Sequence, residues 1–285
     1  MPSTRSPSPR RSGSGSRPGS GSGWTMQHRP LTVKRREHTG YFAVSQKPLH
    51  ILAFLLPFIV LYEVGSARYL GYSAGGAWET IRAQHMVLSF FQDFGLVGRF
   101  LPAVALVAVL LASHTLHKDR WHVRPGVPVM MLLEAVVWTV PLIVLLGLVK
   151  WMLEPSQAAA LPPAAAMPLA DLYAKPWPAR ATVALGAGLY EELVFRMIGI
   201  TALHLILVDL ARLKEGTGRM LAILISAAAF TAYHDAVWQS GALNIPHAIP
   251  YFAAGAYFGA VYLNRGFGIV VGVHAVYDLF VLLNQ

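Results

Sequence analysis

The sequence predicts an all-α, polytopic transmembrane helix bundle of about seven spans (six to eight), preceded by a disordered basic N-terminal tail. The first observation is composition: 55% of the 285 residues are hydrophobic and 13% are charged, whereas soluble proteins carry about a quarter charged residues. The second is that the apolar residues form long runs, with a mean hydropathy of +0.48. Such runs span a bilayer as helices, because each helix satisfies its own backbone.

We assign residues 1–40 to the basic tail and residues 41–285 to the transmembrane helical domain. The tail holds eight Lys or Arg and one acidic residue, and therefore most of the net charge of +9. Its first 24 residues are a Ser, Gly, Pro and Arg low-complexity stretch, which predicts disorder. Anionic lipid headgroups are the expected partner of this tail. Nucleic acid is not expected, since it would need a basic face with interleaved aromatic residues on a fold.

Seven apolar runs separated by short charged breaks are the predicted spans. They are residues 49–62, 100–116, 127–149, 181–208, 220–234, 248–263 and 266–283. A hydrocarbon core about 30 Å thick needs roughly 20 helical residues, and fewer where flanking groups snorkel.

Two segments between these runs have their own predictions. Residues 84–98 place Val87, Phe90, Phe91 and Phe94 on one side at helical spacing, which predicts an amphipathic helix in the interface or an eighth span. Residues 150–180 are rich in Ala and Pro and predict a loop outside the bilayer.

The distribution of Lys and Arg predicts a cytoplasmic N-terminus. With seven spans, this orientation places 16 basic residues inside and six outside, in agreement with the positive-inside rule. We expect an integral protein of a bacterial inner membrane.

Three clusters of ionisable residues interrupt the apolar runs, where such residues mark function or a buried pair. They are EELVFR at 191–196, FTAYH at 230–234 and HAVYD at 274–278. Glu134 is a further acid within a run. Two roles are open for it: a structural partner of an intramembrane Arg or His, or a residue that lines the cavity.

Helical spacing gives these clusters a physical interpretation. Glu192 and Arg196 are four residues apart and can form an ion pair. Glu191 is rotated by about 100° from Glu192, so it lacks that local partner. A carboxylate in this setting is a plausible proton acceptor. His274 and Asp278 are also four apart and can face one cavity.

A helical rise of about 1.5 Å per residue indicates how deep these groups lie. Measured from the nearest basic residues at the membrane edges, Glu191 and His274 both lie about 14 Å from the inner edge. His234 lies about 22 Å from that edge, a mismatch of roughly 8 Å that helix tilt or a later helix start would remove.

The three clusters, in this order, resemble the motifs of the CPBP family of intramembrane proteases. This family includes type II CAAX prenyl endopeptidases and bacteriocin-processing or self-immunity proteins. EELVFR is similar to Glu-Glu-x-x-x-Arg, FTAYH to Phe-x-x-x-His, and HAVYD to His-x-x-x-Asn/Asp. The resemblance covers a motif core at about residues 180–283.

The resemblance implies a role for each matching residue. Glu191 is implied as the glutamate that activates water, and His234 as the histidine that polarises that water. His274 and Asp278 are implied as the pair that stabilises the oxyanion. The implied supporting residues are Glu192, Arg196 and Phe230. Because the family often has Asn at position 278, Asp278 either is protonated or acts by orienting His274.

The family has been described both as metalloproteases and as metal-free glutamate proteases. We expect no cofactor, with zinc held by Glu191, His234 and His274 as the alternative. The HExxH spacing of many zinc proteases is absent from this sequence.

The expected function is therefore an intramembrane endopeptidase, a hydrolase acting on a peptide or a membrane-anchored protein near the membrane. One alternative is a proton-coupled secondary transporter, which the same buried charges would suit. Transporters usually have repeat-related halves, whereas these charges crowd into the C-terminal part. The other alternative is a non-catalytic CPBP-like immunity or scaffold protein.

Overall fold

The computed structural model describes residues 40–70, 80–153, 169–239 and 241–284. All of them lie in the compact unit His38–Gln285. The predicted disordered tail lies outside the described residues, apart from Gly40 at its end. The described residues are mostly helical, in agreement with the predicted all-α membrane bundle. They also contain one antiparallel pair of two-residue strands, β1 (Trp238–Gln239) and β2 (Ala242–Leu243).

The described residues up to 153 form five helices. They are α1 (Tyr41–Val44), α2 (Pro48–Gly65, continued by a π-helical turn Ser66–Leu70), α3 (Arg82–Asp93), α4 (Leu101–His117) and α5 (Gly126–Leu153).

From residue 169 onward, the described part of the chain forms six more helices and a short 3₁₀ turn, Asp235–Val237, between α9 and β1. The helices are α6 (Leu169–Ala174), α7 (Trp177–Glu192, continued by a π-helical segment Leu193–Ile200), α8 (Thr201–His204, continued by a π-helical segment Leu205–Leu210), α9 (Glu215–Tyr233), α10 (Ile245–Arg265) and α11 (Phe267–Leu283).

Each of the seven predicted runs is helical over most of its length. Within the described residues, three continuous helical segments are long and apolar enough to cross a membrane, namely Pro48–Leu70, Gly126–Leu153 and Trp177–Leu210. Two shorter apolar helices are α4 and α11. The chain is thus an integral membrane protein by its helices, and the count of seven spans stays a prediction.

Two segment predictions need correction or refinement. The loop predicted at 150–180 is wrong at both ends, because α5 runs on to Leu153 and α7 begins at Trp177, with α6 before it. Residues 154–168 lie outside the described part. The segment 84–98 contains α3, which has 12 residues and therefore rises about 18 Å. That is too short for a span, so the structure favours the amphipathic alternative.

Several contacts join loops that the predicted topology places on the same membrane side. On the predicted cytoplasmic side, Lys47 pairs with Asp119 at 2.6 Å, and Arg265 donates to Ser45 Oγ at 3.1 Å. On the opposite side, Arg180 donates to the carbonyl of Leu282 at 2.7 Å. Spans that alternate in direction would bring the loops of each pair to the same side, as these contacts need.

Helix α5 is apolar on all sides, as is typical of a membrane-spanning helix. Its buried residues recur about every four positions and are mostly apolar, and its exposed side is apolar as well, with Val129, Leu133, Val137 and Val144 all exposed. An apolar outer surface suits lipid rather than water.

Helices α7 and α11 form the centre of the bundle and carry two of the three motifs. Gly188 on α7 allows their backbones to approach closely, because a Cβ there would lie 2.9 Å from the backbone nitrogen of Ala275 and from the carbonyl oxygen of Val271. Small residues permit this kind of close packing between membrane helices. The contact brings the end of α7 against the middle of α11.

Candidate active site

The two adjacent glutamates lie where α7 changes from α-helical to π-helical. Glu191 and Glu192 are the last two residues of α7, and the π-helical segment begins at Leu193. Both carboxylates are fully buried. π-Helical turns often occur at functional sites because they redirect side chains.

Glu192 contacts both Arg196 and His274. Its Oε1 lies 3.0 Å from Arg196 Nη1 and 2.7 Å from His274 Nδ1. The predicted ion pair between Glu192 and Arg196 is therefore present. Arg196 also donates to the carbonyl of Gly255 at 3.0 Å, and its guanidinium lies 4.4 Å from the centre of the Phe230 ring. Glu192 thus holds Nδ1 of His274 and leaves Nε2 on the other side of the ring.

His274 and Asp278 face the same buried region, as their spacing predicted. Asp278 Oδ2 lies 3.6 Å from His274 Nε2, longer than a hydrogen bond. The imidazole of His274 stacks on the ring of Phe258, with 4.5 Å between ring centres and 13° between ring planes. Packing therefore fixes the plane of the ring, and Glu192 fixes its rotation.

His234 follows the last residue of α9 in an extended conformation. Its Nδ1 lies 2.7 Å from the carbonyl oxygen of Phe230, so Nδ1 carries the proton. Its Nε2 lies 3.9 Å from Glu191 Oε2. The mismatch in depth of roughly 8 Å, which assumed untilted helices, therefore does not keep His234 away from Glu191.

Glu191 lies between the two imidazoles. Its Oε2 is 3.9 Å from Nε2 of His234 and also 3.9 Å from Nε2 of His274, while its Oε1 accepts a hydrogen bond from the Tyr233 hydroxyl at 3.4 Å. Because Tyr233 belongs to another helix, no spacing within α7 could reveal this contact. Three chain segments thus converge on one carboxylate.

A comparison with known protein families finds a match in the region that carries these residues. Residues 173–280 match the family model described as "Rce1-like: Type II CAAX prenyl endopeptidase Rce1-like". The matched region contains all three motifs. This match supports membership of the CPBP family. No curated protein and no solved structure matches the chain.

This family match supports a coarse function. It indicates a hydrolase of the intramembrane CAAX-protease type, acting on a peptide or protein substrate in the membrane.

The CPBP motif residues do not fit a zinc ion as they are placed. Ligand atoms around a tetrahedral zinc lie about 3.3 Å apart, whereas Glu191 Oε2 lies 3.9 Å from each histidine nitrogen. Within the described ranges, no group of three His, Asp or Glu side chains is arranged to hold a metal ion. We therefore derive no step through a metal.

The structure adds residues that sequence reasoning missed. Tyr233 contacts Glu191, Tyr251 packs on His234 with ring centres 4.5 Å apart, and Phe258 stacks on His274. Tyr233 lies inside the CPBP motif FTAYH, so its position was a signal that could have been used. Tyr251 and Phe258 lie on α10, between the motifs, and only the packing reveals them.

Glu134, for which two roles were open, is a structural partner. Its Oε2 accepts from Arg265 Nη2 at 2.8 Å and from the Tyr41 hydroxyl at 2.5 Å, and Trp138 donates to its Oε1 at 3.2 Å. Arg265 lies on α10 outside the CPBP motifs. Glu134 therefore ties α1 and α10 to α5.

Proposed function

We propose that the chain is an intramembrane endopeptidase in which Glu191 activates a water molecule without a metal cofactor. The observation that carries this proposal is the equal distance of 3.9 Å from Glu191 Oε2 to Nε2 of two histidines from separate chain segments. Two polar atoms at this separation can both lie within about 2.8 Å of one water oxygen. A position with this property suits a water that is polarised and deprotonated at once.

In the proposed reaction, Glu191 accepts a proton from this water while the water oxygen attacks the carbonyl carbon of the scissile peptide bond. The carbonyl oxygen becomes an oxyanion as the new carbon–oxygen bond forms. Glu191 then gives its proton to the peptide nitrogen, and the carbon–nitrogen bond breaks. The products are a carboxylic acid and an amine, and Glu191 returns to its starting state.

We assign the stabilisation of the oxyanion to His274 with His234 beside it. Acceptors face both nitrogens of His274, with Glu192 at Nδ1 and Asp278 near Nε2. An imidazolium in this position can donate from Nε2 to an oxyanion in a low-dielectric site, where such a bond is worth most. Asp278 then acts by orienting His274 rather than by donating a hydrogen bond itself.

Glu192, Arg196 and Phe230 are proposed as supporting residues. Arg196 balances the charge of Glu192. The ring of Phe230 lies against the guanidinium of Arg196, and the carbonyl of Phe230 holds Nδ1 of His234. These contacts fix the rotation of both imidazoles. Preorganisation of this kind lowers the cost of reaching the transition state.

We also propose a cytoplasmic N-terminus, in a bacterial inner membrane. The contacts of Lys47 with Asp119 and of Arg265 with Ser45 support a common side for these loops, and the bias of basic residues sets which side that is. The Arg120→Cys variant tests this orientation, because a membrane-impermeant thiol reagent should label its single cysteine in opened cells and leave it unlabelled in intact cells.

The test of the proposed function is cleavage by the purified full-length chain in lipid nanodiscs. The probes are a farnesylated peptide ending in a CaaX sequence, with a fluorophore on the segment released after the cysteine, the same peptide without farnesyl, and a model transmembrane peptide. We expect the Glu191→Gln and His274→Ala variants to cleave roughly 10²- to 10⁴-fold more slowly than the wild type.

The matched control is Glu215→Gln, which removes an exposed acid at the start of α9, far from the motifs in sequence. It should cleave like the wild type. Equal cleavage by Glu191→Gln and the wild type would reject the proposal. Substrate uptake into proteoliposomes that is driven by a pH gradient would then favour the transporter alternative. The absence of such uptake would favour the scaffold alternative.

A further inference from the structure

Arg82, the first residue of α3, contacts the chain on both sides of His234. Its Nη1 donates to the carbonyl of Tyr233 at 2.5 Å, and its Nη2 donates to the carboxylate of Asp235. The guanidinium carbon also lies 5.5 Å from the centre of the Tyr233 ring. One side chain from outside the CPBP motifs thus binds the residue before His234 and the residue after it.

The end of α9 needs such a partner. The last carbonyls of a helix have no donor within the helix, and a cation there is favoured by the helix dipole. Tyr233 is the last residue of α9, and His234 has already left the helix. The backbone of His234 makes two bonds of its own, because its N–H donates to the carbonyl of Thr231 at 3.1 Å and its carbonyl accepts from Val237 at 3.2 Å. Arg82 adds a donor for the carbonyl of Tyr233.

Tyr233 connects this contact to the carboxylate. Its carbonyl and ring contact Arg82, while its hydroxyl donates to Glu191 Oε1. A shift of Tyr233 would therefore move the support of Glu191 together with the backbone of His234. Because Glu191 and His234 lie only 3.9 Å apart, a displacement of about 1 Å would change the geometry that a reacting water needs.

Helix α3 is anchored at the end that carries Arg82. Ile81, Ala83 and Gln84 are buried, and Gln84 Oε1 accepts from the Tyr62 hydroxyl at 2.5 Å. At the other end, Phe90 and Phe94 are exposed, as suits an amphipathic helix at a membrane interface. The first turn of α3 therefore links this helix to the motif region.

We propose that Arg82 is a positioning residue, which holds the turn carrying His234 at its working distance from Glu191. This inference rests on the proposed function and adds to it a residue that lies outside the matched family region. Arg82 acts through Tyr233 and Asp235 and does not touch the reacting atoms.

The two contacts of Arg82 contribute unequally. The side chains of Arg82 and Asp235 are 41% and 59% exposed, and exposed ion pairs contribute little. The hydrogen bond to the Tyr233 carbonyl is charge-assisted and part-buried, and such bonds are stronger. We therefore expect Arg82→Gln to have a large effect, Asp235→Asn a small one, and Arg82→Lys an intermediate one.

The first measurement does not depend on cleavage. The chain contains no cysteine, so Leu243→Cys, at an exposed position on β2, can carry a single nitroxide label in the full-length protein in nanodiscs. We expect Arg82→Gln to increase the mobility of this label in the electron paramagnetic resonance spectrum. The matched control is Arg219→Gln, which removes an exposed arginine paired with Glu215 at 3.9 Å near the other end of α9 and should leave the spectrum unchanged.

The second measurement uses the cleavage assay with the farnesylated probe. We expect Arg82→Gln to lower kcat roughly tenfold with KM unchanged, the loss expected when one charge-assisted hydrogen bond near the site is removed. An effect on kcat alone indicates an interaction used in the transition state. Arg82→Lys should recover part of the loss, and Arg219→Gln should cleave like the wild type.

The outcomes separate the two proposals. Wild-type kcat and wild-type label mobility in Arg82→Gln would overturn the role of Arg82, while the difference between the wild type and Glu191→Gln would still support the protease. If the wild type cleaves no probe, unchanged label mobility in Arg82→Gln is by itself enough to overturn the role of Arg82. If Arg82→Gln does not fold, as judged by size-exclusion chromatography, the same two readouts in Arg82→Lys decide, and wild-type values there overturn the proposal.

Discussion

Among the described residues, two largely buried pairs of glutamate and arginine differ in what surrounds them. Glu134 and Arg265 form one pair, with hydrogen-bond donors from Tyr41 and Trp138 on the same carboxylate. Glu192 and Arg196 form the other, and two more acids, Glu191 and Asp278, lie close by.

The difference lies in charge balance and in distance. At Glu134, one acid meets one arginine, and the contacts have hydrogen-bond lengths. Around Glu192, three acids share one arginine and two histidines, and Glu191 Oε2 keeps 3.9 Å from both imidazoles. The first arrangement stabilises the fold. The second lowers the stability of the fold, because it holds Glu191 Oε2 and the two histidine nitrogens near each other but beyond hydrogen-bond distance. Such a cost is typical of functional sites.

The largest effect on stability is expected at the Glu134 pair. Replacing Arg265 by Met leaves the carboxylate of Glu134 largely buried without its cation, so the free energy of unfolding should fall by about 3–5 kcal/mol. Unfolding in detergent micelles measures it. The double variant Glu134→Leu with Arg265→Met should recover much of this loss, because no charge is then left behind. A double variant as unstable as the sum of the two single ones would contradict this interpretation.

The opposite sign is expected at Glu191. Replacing Glu191 by Gln removes one of three crowded acids, so the free energy of unfolding should rise by about 1 kcal/mol even as cleavage is lost. The same unfolding measurement checks it, with Glu215→Gln as the exposed control. A loss of stability as large as that of Arg265→Met would mean that Glu191 is a structural residue like Glu134, and the contrast between the two regions would disappear.

A smaller effect is expected at Asp278. If Asp278 orients His274, Asn keeps a side-chain oxygen facing the imidazole, so Asp278→Asn should keep cleavage within about tenfold of the wild type. Asp278→Ala should lose more, because it removes that oxygen. Cleavage of the farnesylated probe measures both variants. Equal losses in Asn and Ala would show that the negative charge of Asp278, rather than an oxygen near the imidazole, is what matters.

The smallest effect is expected at the partly exposed pair of Lys47 and Asp119 in the loops. The hydrogen bond from Lys47 lowers the pKa of Asp119 below its ordinary value of 3.8. A lowered pKa in the folded state means that the pair stabilises the protein above the ordinary pKa and loses this contribution as pH falls through the lowered one.

We therefore expect the wild type to exceed Asp119→Asn in stability by up to about 1 kcal/mol at neutral pH, and by nothing at pH values below the lowered pKa. Unfolding at a series of pH values in detergent measures the difference. A constant difference down to the lowest pH would show that the ionisation of Asp119 plays no part.

Much of this architecture could be predicted from local sequence. Apolar runs, basic breaks and the spacing of Glu192 and Arg196 depend on residues close together in the chain, and helical geometry converts such spacing into a face or an ion pair. The helices and that ion pair agree with these predictions. The ends of the segment 150–180 do not, because Pro and Ala content predicts loops poorly where apolar residues continue a helix.

The meeting of Glu191, His234 and His274 was decided by the tertiary structure. The sequence by itself predicted these three residues as the site and determined the apolar runs in which they lie. It could not determine the partner of Glu134, the hydroxyl of Tyr233 on Glu191, or the guanidinium of Arg82 at the end of α9. Each of these depends on how separate helices pack, and helix packing is set by contacts such as Gly188 on Ala275 that join residues far apart in the chain.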